Sequence, residues 1–370
     1  MRKSANGKGS FAKNIRTCPE TIIPAVSEPA ERFISPALGP TDLEAENILR
    51  PKRLSDFVGQ ERLRENLSLF VQAARERGDA LDHVLFAGPP GLGKTTLAGI
   101  IAQEMGTQLR VTSGPILDKP SDLAGLLTSL QPNDVLFIDE IHRLSRTVEE
   151  YLYPAMEDFA IDILLESGPS ARSVHLPLPR FTLVGATTRT GMLTGPLRDR
   201  FGLTFRLDPY SPEEVCTIAR RTAGLLNFEL SSEAASLLGR RCRGTPRVVN
   251  RVVRRCRDVA QVMRKKEIDE EIVTRTLDIL GLDAMGLDEM DRRILRTILE
   301  RFDGGPVGLS TLSAALGEDA ETLEEVYEPY LIQQGLLQRT PRGRITTLGA
   351  CRHLGVQPPR ILVQPDLFAP

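Results

Sequence analysis

The stretch Gly88-Pro89-Pro90-Gly91-Leu92-Gly93-Lys94-Thr95 limits what this chain can become more than any other. Its spacing, G-x-x-x-x-G-K-[ST], is that of a phosphate-cradling loop set between a buried strand and a helix. Both flanks fit. His83-Val84-Leu85-Phe86-Ala87 reads as a buried strand, and Thr96-Leu97-Ala98-Gly99-Ile100-Ile101-Ala102 as a helix with an apolar stripe. Glycines let backbone N–H groups turn toward phosphate oxygens, and the helix N-terminus adds the positive end of its dipole. In that frame Lys94 reaches the β- and γ-phosphates, and the Thr95 hydroxyl ligates Mg²⁺.

A second signal supports hydrolysis over mere binding. In Val135-Leu136-Phe137-Ile138-Asp139-Glu140, four apolar residues make a buried parallel strand and two carboxylates emerge at its C-terminal end. Asp139 would hold Mg²⁺, directly or through water, and Glu140 would polarise the attacking water. The interval from Lys94 to Asp139 accommodates a helix, a strand and another helix of an α/β sheet. A third buried strand, Phe181-Thr182-Leu183-Val184-Gly185-Ala186-Thr187-Thr188-Arg189, ends in hydroxyls that fit either a loop cap or a γ-phosphate sensor. Arg200, in Pro196-Leu197-Arg198-Asp199-Arg200-Phe201, reads either as a surface arginine or as a finger entering a neighbouring subunit's site.

Composition narrows the class. At 370 residues the chain holds two or three domains, and its net charge of −2 confines any basic surface to local patches. Five scattered cysteines without a C-x-x-C pair point to a reducing compartment and away from structural zinc. No apolar run approaches a membrane span, and no apolar signal core opens the chain, so a cytoplasmic location without membrane contact is expected.

Residues 1–46 carry Lys, Arg, Ser, Pro and Gly with little periodicity and read as a disordered extension or a basic arm. Leu49-Arg50-Pro51 and the Val58-Gly59-Gln60 turn lie just before a helix from about Glu61 to Arg77, placed to fold over an adenine base. Alternating apolar residues on both sides of Gly168-Pro169 predict a hairpin over about 160–178, which either packs inward or shows an apolar face to a partner. From Ser211, an N-cap followed by Pro212 and Glu214, helices run to about Leu280 as a small lid. Gly244 ends one helix and Thr245 caps the next. Arg247 in that first turn opposes the helix dipole, which suggests an anion opposite it. Arg251, Arg254, Arg255 and Arg257 read as a solvated helix face.

Beyond Gly286, three helices and two short strands make a winged helix. Its third helix, with Glu321, Glu324, Glu325 and Glu328, is a poor major-groove reader because phosphates repel it. The cations are on the wing, at Arg339, Arg342 and Arg344, and predict weak duplex binding without sequence preference. The tail Gln364-Pro365-Asp366-Leu367-Phe368 is similar to the peptide by which bacterial replication and repair proteins dock on the sliding clamp.

Together these motifs resemble the RuvB family of bacterial Holliday-junction branch-migration ATPases, in the AAA+ superfamily, over about residues 47–357. The resemblance implies an AAA+ P-loop core with a parallel sheet over 47–208, a small all-α lid over 209–283, a winged-helix domain over 284–357 and a flexible tail over 358–370. It implies ATP and Mg²⁺, with Leu49 and Arg50 bordering the nucleotide and Gly91, Lys94, Thr95 and Thr96 on the phosphates. It makes Thr188 the first sensor, Arg200 the finger acting in trans, Arg247 the second sensor and Tyr210 a base-side contact. Glu157, Asp158 and Phe159 fall near the nucleotide of an assembled homohexamer, and Leu337 and Arg342 match DNA-contacting positions. RuvA at the hairpin Ile161–Leu178, RuvC and duplex DNA at Holliday junctions are the implied partners, in recombination and repair. A clamp loader would lack the winged helix, a non-catalytic scaffold would not need Lys94, Asp139 and Glu140 together, and a protein unfoldase would not need a basic wing.

Overall fold

Strands that are apolar throughout can only be buried on both faces, and they take the middle of the sheet. A computed structural model describes residues 49–164 and 173–359 of the chain. Five strands, β1 (Val84–Ala87), β2 (Leu109–Ser113), β3 (Val135–Asp139), β6 (Thr182–Thr187) and β7 (Leu203–Arg206), form one parallel sheet in the order β2-β3-β6-β1-β7. The central β3, β6 and β1 are the continuous apolar runs, whereas the edge strands β2 and β7 keep solvent-facing positions. Alternate residues serve opposite layers. Val84, Phe86, Val135 and Phe137 join one apolar cluster, and Leu85, Leu136 and Ile138 join another across the sheet. The first cluster continues into the lid through Val215, Leu238 and Val252, so the lid shares a core with one face of the sheet.

All five strands point the same way, so the phosphate loop after β1, the carboxylates ending β3 and the hydroxyls ending β6 emerge along one edge. This is the edge at which open parallel sheets bind ligands. The loop helix, Lys94–Met105, starts directly at the lysine. The upstream helix spans Glu61–Arg77, as its periodicity predicts.

The strands β4 (Ala160–Leu164) and β5 (Ser173–Pro177) pair antiparallel as a separate hairpin, in register from Ala160↔Pro177 to Leu164↔Ser173. Ile161 and Leu178 at its base are buried against the second apolar cluster, so this end packs inward. Asp162 and His175 face solvent and pair at 3.0 Å. The hairpin tip, the 1–46 extension and the Gln364–Phe368 tail lie outside the described residues.

In the lid, Ser211 accepts from Glu214 N while the Glu214 carboxylate accepts from Ser211 N, the reciprocal cap its sequence predicts. The expected cap at Thr245 differs. Its hydroxyl donates back to Arg243 O at 3.1 Å and makes no cap bond to the helix Pro246–Val262. Arg254, expected on a solvated face, is buried. Two short strands, β8 (Glu229–Leu230) and β9 (Glu267–Ile268), tie the lid's loops together.

The winged domain has its own core around Ile294, Leu312, Leu323 and Leu331. Its third helix is not regular. A turn at Ala320–Thr322 runs into a π-helical turn, Leu323–Tyr327, before Glu328–Gln333 resumes α geometry. The wing strands β10 (Leu337–Thr340) and β11 (Gly343–Thr346) pair antiparallel, and Val307 bridges to Arg344. This packing corrects two expected DNA contacts. Leu337 is 1% exposed within the domain core. Arg344 is buried and grips Glu328 with Nε–Oε1 at 2.6 Å and Nη2–Oε2 at 3.2 Å. Neither presents a side chain to a duplex. Arg342 is exposed at the wing's turn, and Arg339, also exposed, is ion-paired to Glu324.

Candidate active site

The phosphate loop brings its lysine inward. Lys94 is 7% exposed, and its Nζ donates to Gly88 O at 2.7 Å and Pro89 O at 2.9 Å. Burial lowers the pKa of this amine, against the pull of Glu140 and Asp139. An ammonium tied to two loop carbonyls and facing two carboxylates is a fitted receptor for a polyphosphate, which supplies the negative charge the loop itself lacks. Gly91 has φ +80°, and a Cβ there would stand 2.8 Å from the Thr245 methyl. Only glycine allows both the left-handed turn and the close approach of the lid.

The carboxylates stand opposite. Asp139 closes β3 and accepts from Glu140 N at 3.0 Å. Burial first, then the neighbouring Glu140, raises its pKa. Glu140 has left-handed backbone, φ +46°, which turns its side chain away from the strand axis. The Thr188 hydroxyl donates to Glu140 Oε2 at 3.1 Å. Nδ1 of His142 lies 3.3 Å from the same oxygen and 2.9 Å from Thr187 Oγ1. Burial lowers the His142 pKa, against the pull of the neighbouring Glu140. The hydroxyl that ends β6 and the carboxylate that follows β3 are thus in direct contact.

One cleft joins Lys94, Thr95, Thr96, Asp139 and Glu140 to Arg50, and from the lid to Arg247 and Asn250. A second cavity continues from it past Leu49, Phe57, Thr96 and Tyr210, the right place for a base. Tyr210 is buried and donates to Leu92 O at 3.2 Å, so it braces the loop while lining the base side. Arg221 of the lid donates to Leu49 O at 2.7 Å. Arg247 N donates to Gly91 O at 3.4 Å, which ties the lid helix Pro246–Val262 to the loop.

Arg200, Glu157, Asp158 and Phe159 are not among the residues lining this cleft. Arg200 instead lies over the Tyr153 ring at 4.3 Å, pairs with Glu157 at 3.1 Å and donates to Pro196 O. Phe159 packs edge-on against Phe181, 5.8 Å between centroids.

Three comparisons bear on this arrangement. The model of the Holliday junction DNA helicase RuvB P-loop domain matches residues 49–207, the RuvB AAA lid domain 210–283, and the RuvB C-terminal winged helix domain 284–355. The chain belongs to the RuvB family. The family is an AAA+ ATPase family, so the cleft is a nucleotide site and the fold is a P-loop core with AAA lid and winged helix. Among solved structures, the RuvB Holliday junction branch migration motor of Thermotoga maritima is 52% identical, with 84% of this chain and 100% of that chain covered and a TM-score of 0.77. A single-substitution variant of that protein is 53% identical at a TM-score of 0.79, covering 84% of this chain and 99% of its own.

Some site residues escape sequence reading. Asn250, one helical turn beyond Arg247, was not singled out, although that spacing could have pointed to it. His142 and Arg221 act through contacts distant in sequence that no local pattern announces.

Proposed function

We propose that this chain is an ATP-driven motor for branch migration of Holliday junctions, working as a homohexameric ring on duplex DNA with RuvA, during recombination and repair. The placement of Arg200 carries the reading. Lys94, Asp139, Glu140, Arg50 and Arg247 line the cleft, whereas Arg200 of the same chain lies over Tyr153 and pairs with Glu157 instead. In a ring, that arginine would enter the cleft of a neighbouring copy and add its charge there.

In this reading Lys94, Thr95, Thr96 and the loop amides hold the triphosphate, and Thr95 with Asp139 would hold Mg²⁺, which would supply charge to neutralise the phosphate oxygens. Glu140 orients and polarises the attacking water. The Thr188 hydroxyl, donated to Glu140, is also the group that senses the γ-phosphate, so occupancy and base position are read by one side chain. Arg247 carries the phosphate state into the lid, and Arg200 stabilises transition-state charge in the next subunit's site. Glu157, Asp158 and Phe159 border that shared site. Arg342, with Arg339, takes duplex phosphates, while the hairpin Ile161–Leu178 receives RuvA and RuvC joins the resolving complex. The Gln364–Phe368 tail docks a sliding clamp, in a cytoplasmic setting. No helix among the described residues is long and apolar enough to cross a membrane.

The test mixes two inactive proteins. Arg200→Ala keeps an intact cleft but gives no finger, and Glu140→Gln gives a finger but cannot hydrolyse. Each alone should turn over roughly a thousandfold below the native rate, and their mixture should regain turnover on duplex DNA. No recovery in mixed rings, or native turnover by Arg200→Ala, refutes the shared site.

A further inference from the structure

The acidic third helix of the winged domain repels DNA, and the structure shows what it faces instead. Arg143, just after β3, pairs with Glu321 at 3.4 Å. Arg189, just after β6, pairs with Glu325 at 2.7 Å and Glu324 at 3.3 Å. Glu324 also pairs with Arg339 of the wing. Adjacent helical residues do not normally share a face. Glu324 and Glu325 lie in the π-helical turn, whose larger number of residues per turn narrows the angle between neighbours, and both carboxylates reach one guanidinium. Their side chains are about three-quarters buried at the contact, at 22% and 26% exposure.

The other end of Arg189 reaches the chemistry. Its backbone N donates to Thr187 Oγ1 at 3.0 Å, the hydroxyl that also meets His142, and its neighbour Thr188 holds Glu140. A cleft of about 510 Å³ beside this contact is bordered by Gly88, Thr188, Arg189, Glu324 and Arg339.

We infer that Arg189, held by Glu324 and Glu325, is the positioning residue through which a duplex on the wing acts on the hydrolytic site of the same chain. The inference rests on the motor reading above and adds a route to it. Arg339 and Arg189 share the Glu324 carboxylate. A phosphate that draws Arg339 therefore changes the charge and position of the group holding Arg189, and with it the end of β6 that carries Thr188. The acidic helix is then an internal coupling surface, which accounts for carboxylates where a DNA reader would carry cations.

The test measures ATP turnover without DNA and at saturating duplex in full-length protein. In Glu324→Gln/Glu325→Gln the stimulation by saturating duplex should fall by at least roughly fivefold, while DNA-free turnover stays native and duplex affinity is equal or tighter. Arg189→Glu should lose the same stimulation, and Arg189→Glu/Glu325→Arg should regain it, a rescue that a merely structural role would not give. Stimulation left intact in the double glutamine variant overturns the inference, as does failure of the reversed pair to restore it. A native protein that hydrolyses ATP without any response to DNA overturns the motor reading and this inference with it. A stimulated native protein with unaltered variants overturns the inference alone.

Discussion

Removing the Arg344 guanidinium should destabilise the winged domain rather than loosen its hold on DNA. Its fork meets both oxygens of Glu328 at 2.6 and 3.2 Å, and Glu328 is 2% exposed. Arg344→Met leaves that carboxylate buried without its cation, a loss of about 3–5 kcal/mol. Against a domain stability on the order of 5–15 kcal/mol, that is a large fraction. The assay is amide hydrogen exchange on the whole chain, followed at Leu337–Thr340, Gly343–Thr346 and Glu328–Gln333. Protection there should drop by roughly two to three and a half powers of ten, since ~1.4 kcal/mol is a factor of ten. Protection in the phosphate-loop helix should hold. Glu328→Leu/Arg344→Met, with both charges gone, should recover most of the loss. Arg342→Met, at an exposed turn, should change stability within about 0.5 kcal/mol. It should lower the salt slope of duplex binding by about one. The reasoning fails if Arg344→Met is fully protected yet loses DNA, or if the double variant is as unprotected as the single.

Two other expectations come from the nucleotide cleft. Gly91→Ala, at φ +80° and 2.8 Å from the Thr245 methyl, should push the lid off the loop and weaken ATP binding by about tenfold in a fluorescent-nucleotide titration; unchanged affinity would show that loop and lid do not need that approach. Burial raises the Tyr210 pKa above its ordinary value. The unfolded chain then releases this proton first, so stability should fall as pH rises past about 10, and Tyr210→Phe should flatten that alkaline decline in melting temperature at a neutral-pH loss of about 1 kcal/mol.

The hydrolytic half of the molecule was legible because its signals are local. A strand, a loop with fixed glycines and a helix are contiguous, and Asp139 and Glu140 sit at a strand end that the apolar run itself announces. The Ser211 cap is equally local. What was not legible depends on partners far along the chain. Arg344 reads as a wing cation until Glu328, sixteen residues earlier, folds against it. Leu337 is expected at a DNA-contacting position from the resemblance alone, whereas packing draws it into the domain core. Arg254 reads as part of a solvated helix face and yet lies buried. The charge of the acidic helix argues against a major-groove role, but the cation it meets, Arg189, lies more than a hundred residues upstream and no local pattern names it.

The sparse cation supply of the wing has a consequence for how the proposed ring would keep its track. Arg342 stands clear and Arg339 must first leave Glu324, so one wing taking duplex phosphates as proposed would neutralise only one or two of them. Affinity scales steeply with that number, and a single grip of this kind dissociates fast. Joining several such grips in one particle makes each rebinding intramolecular, at a local concentration far above that of free protein. Tenure on the track then belongs to the assembly while every individual wing remains free to let go, which is the property that stepping along a polymer demands.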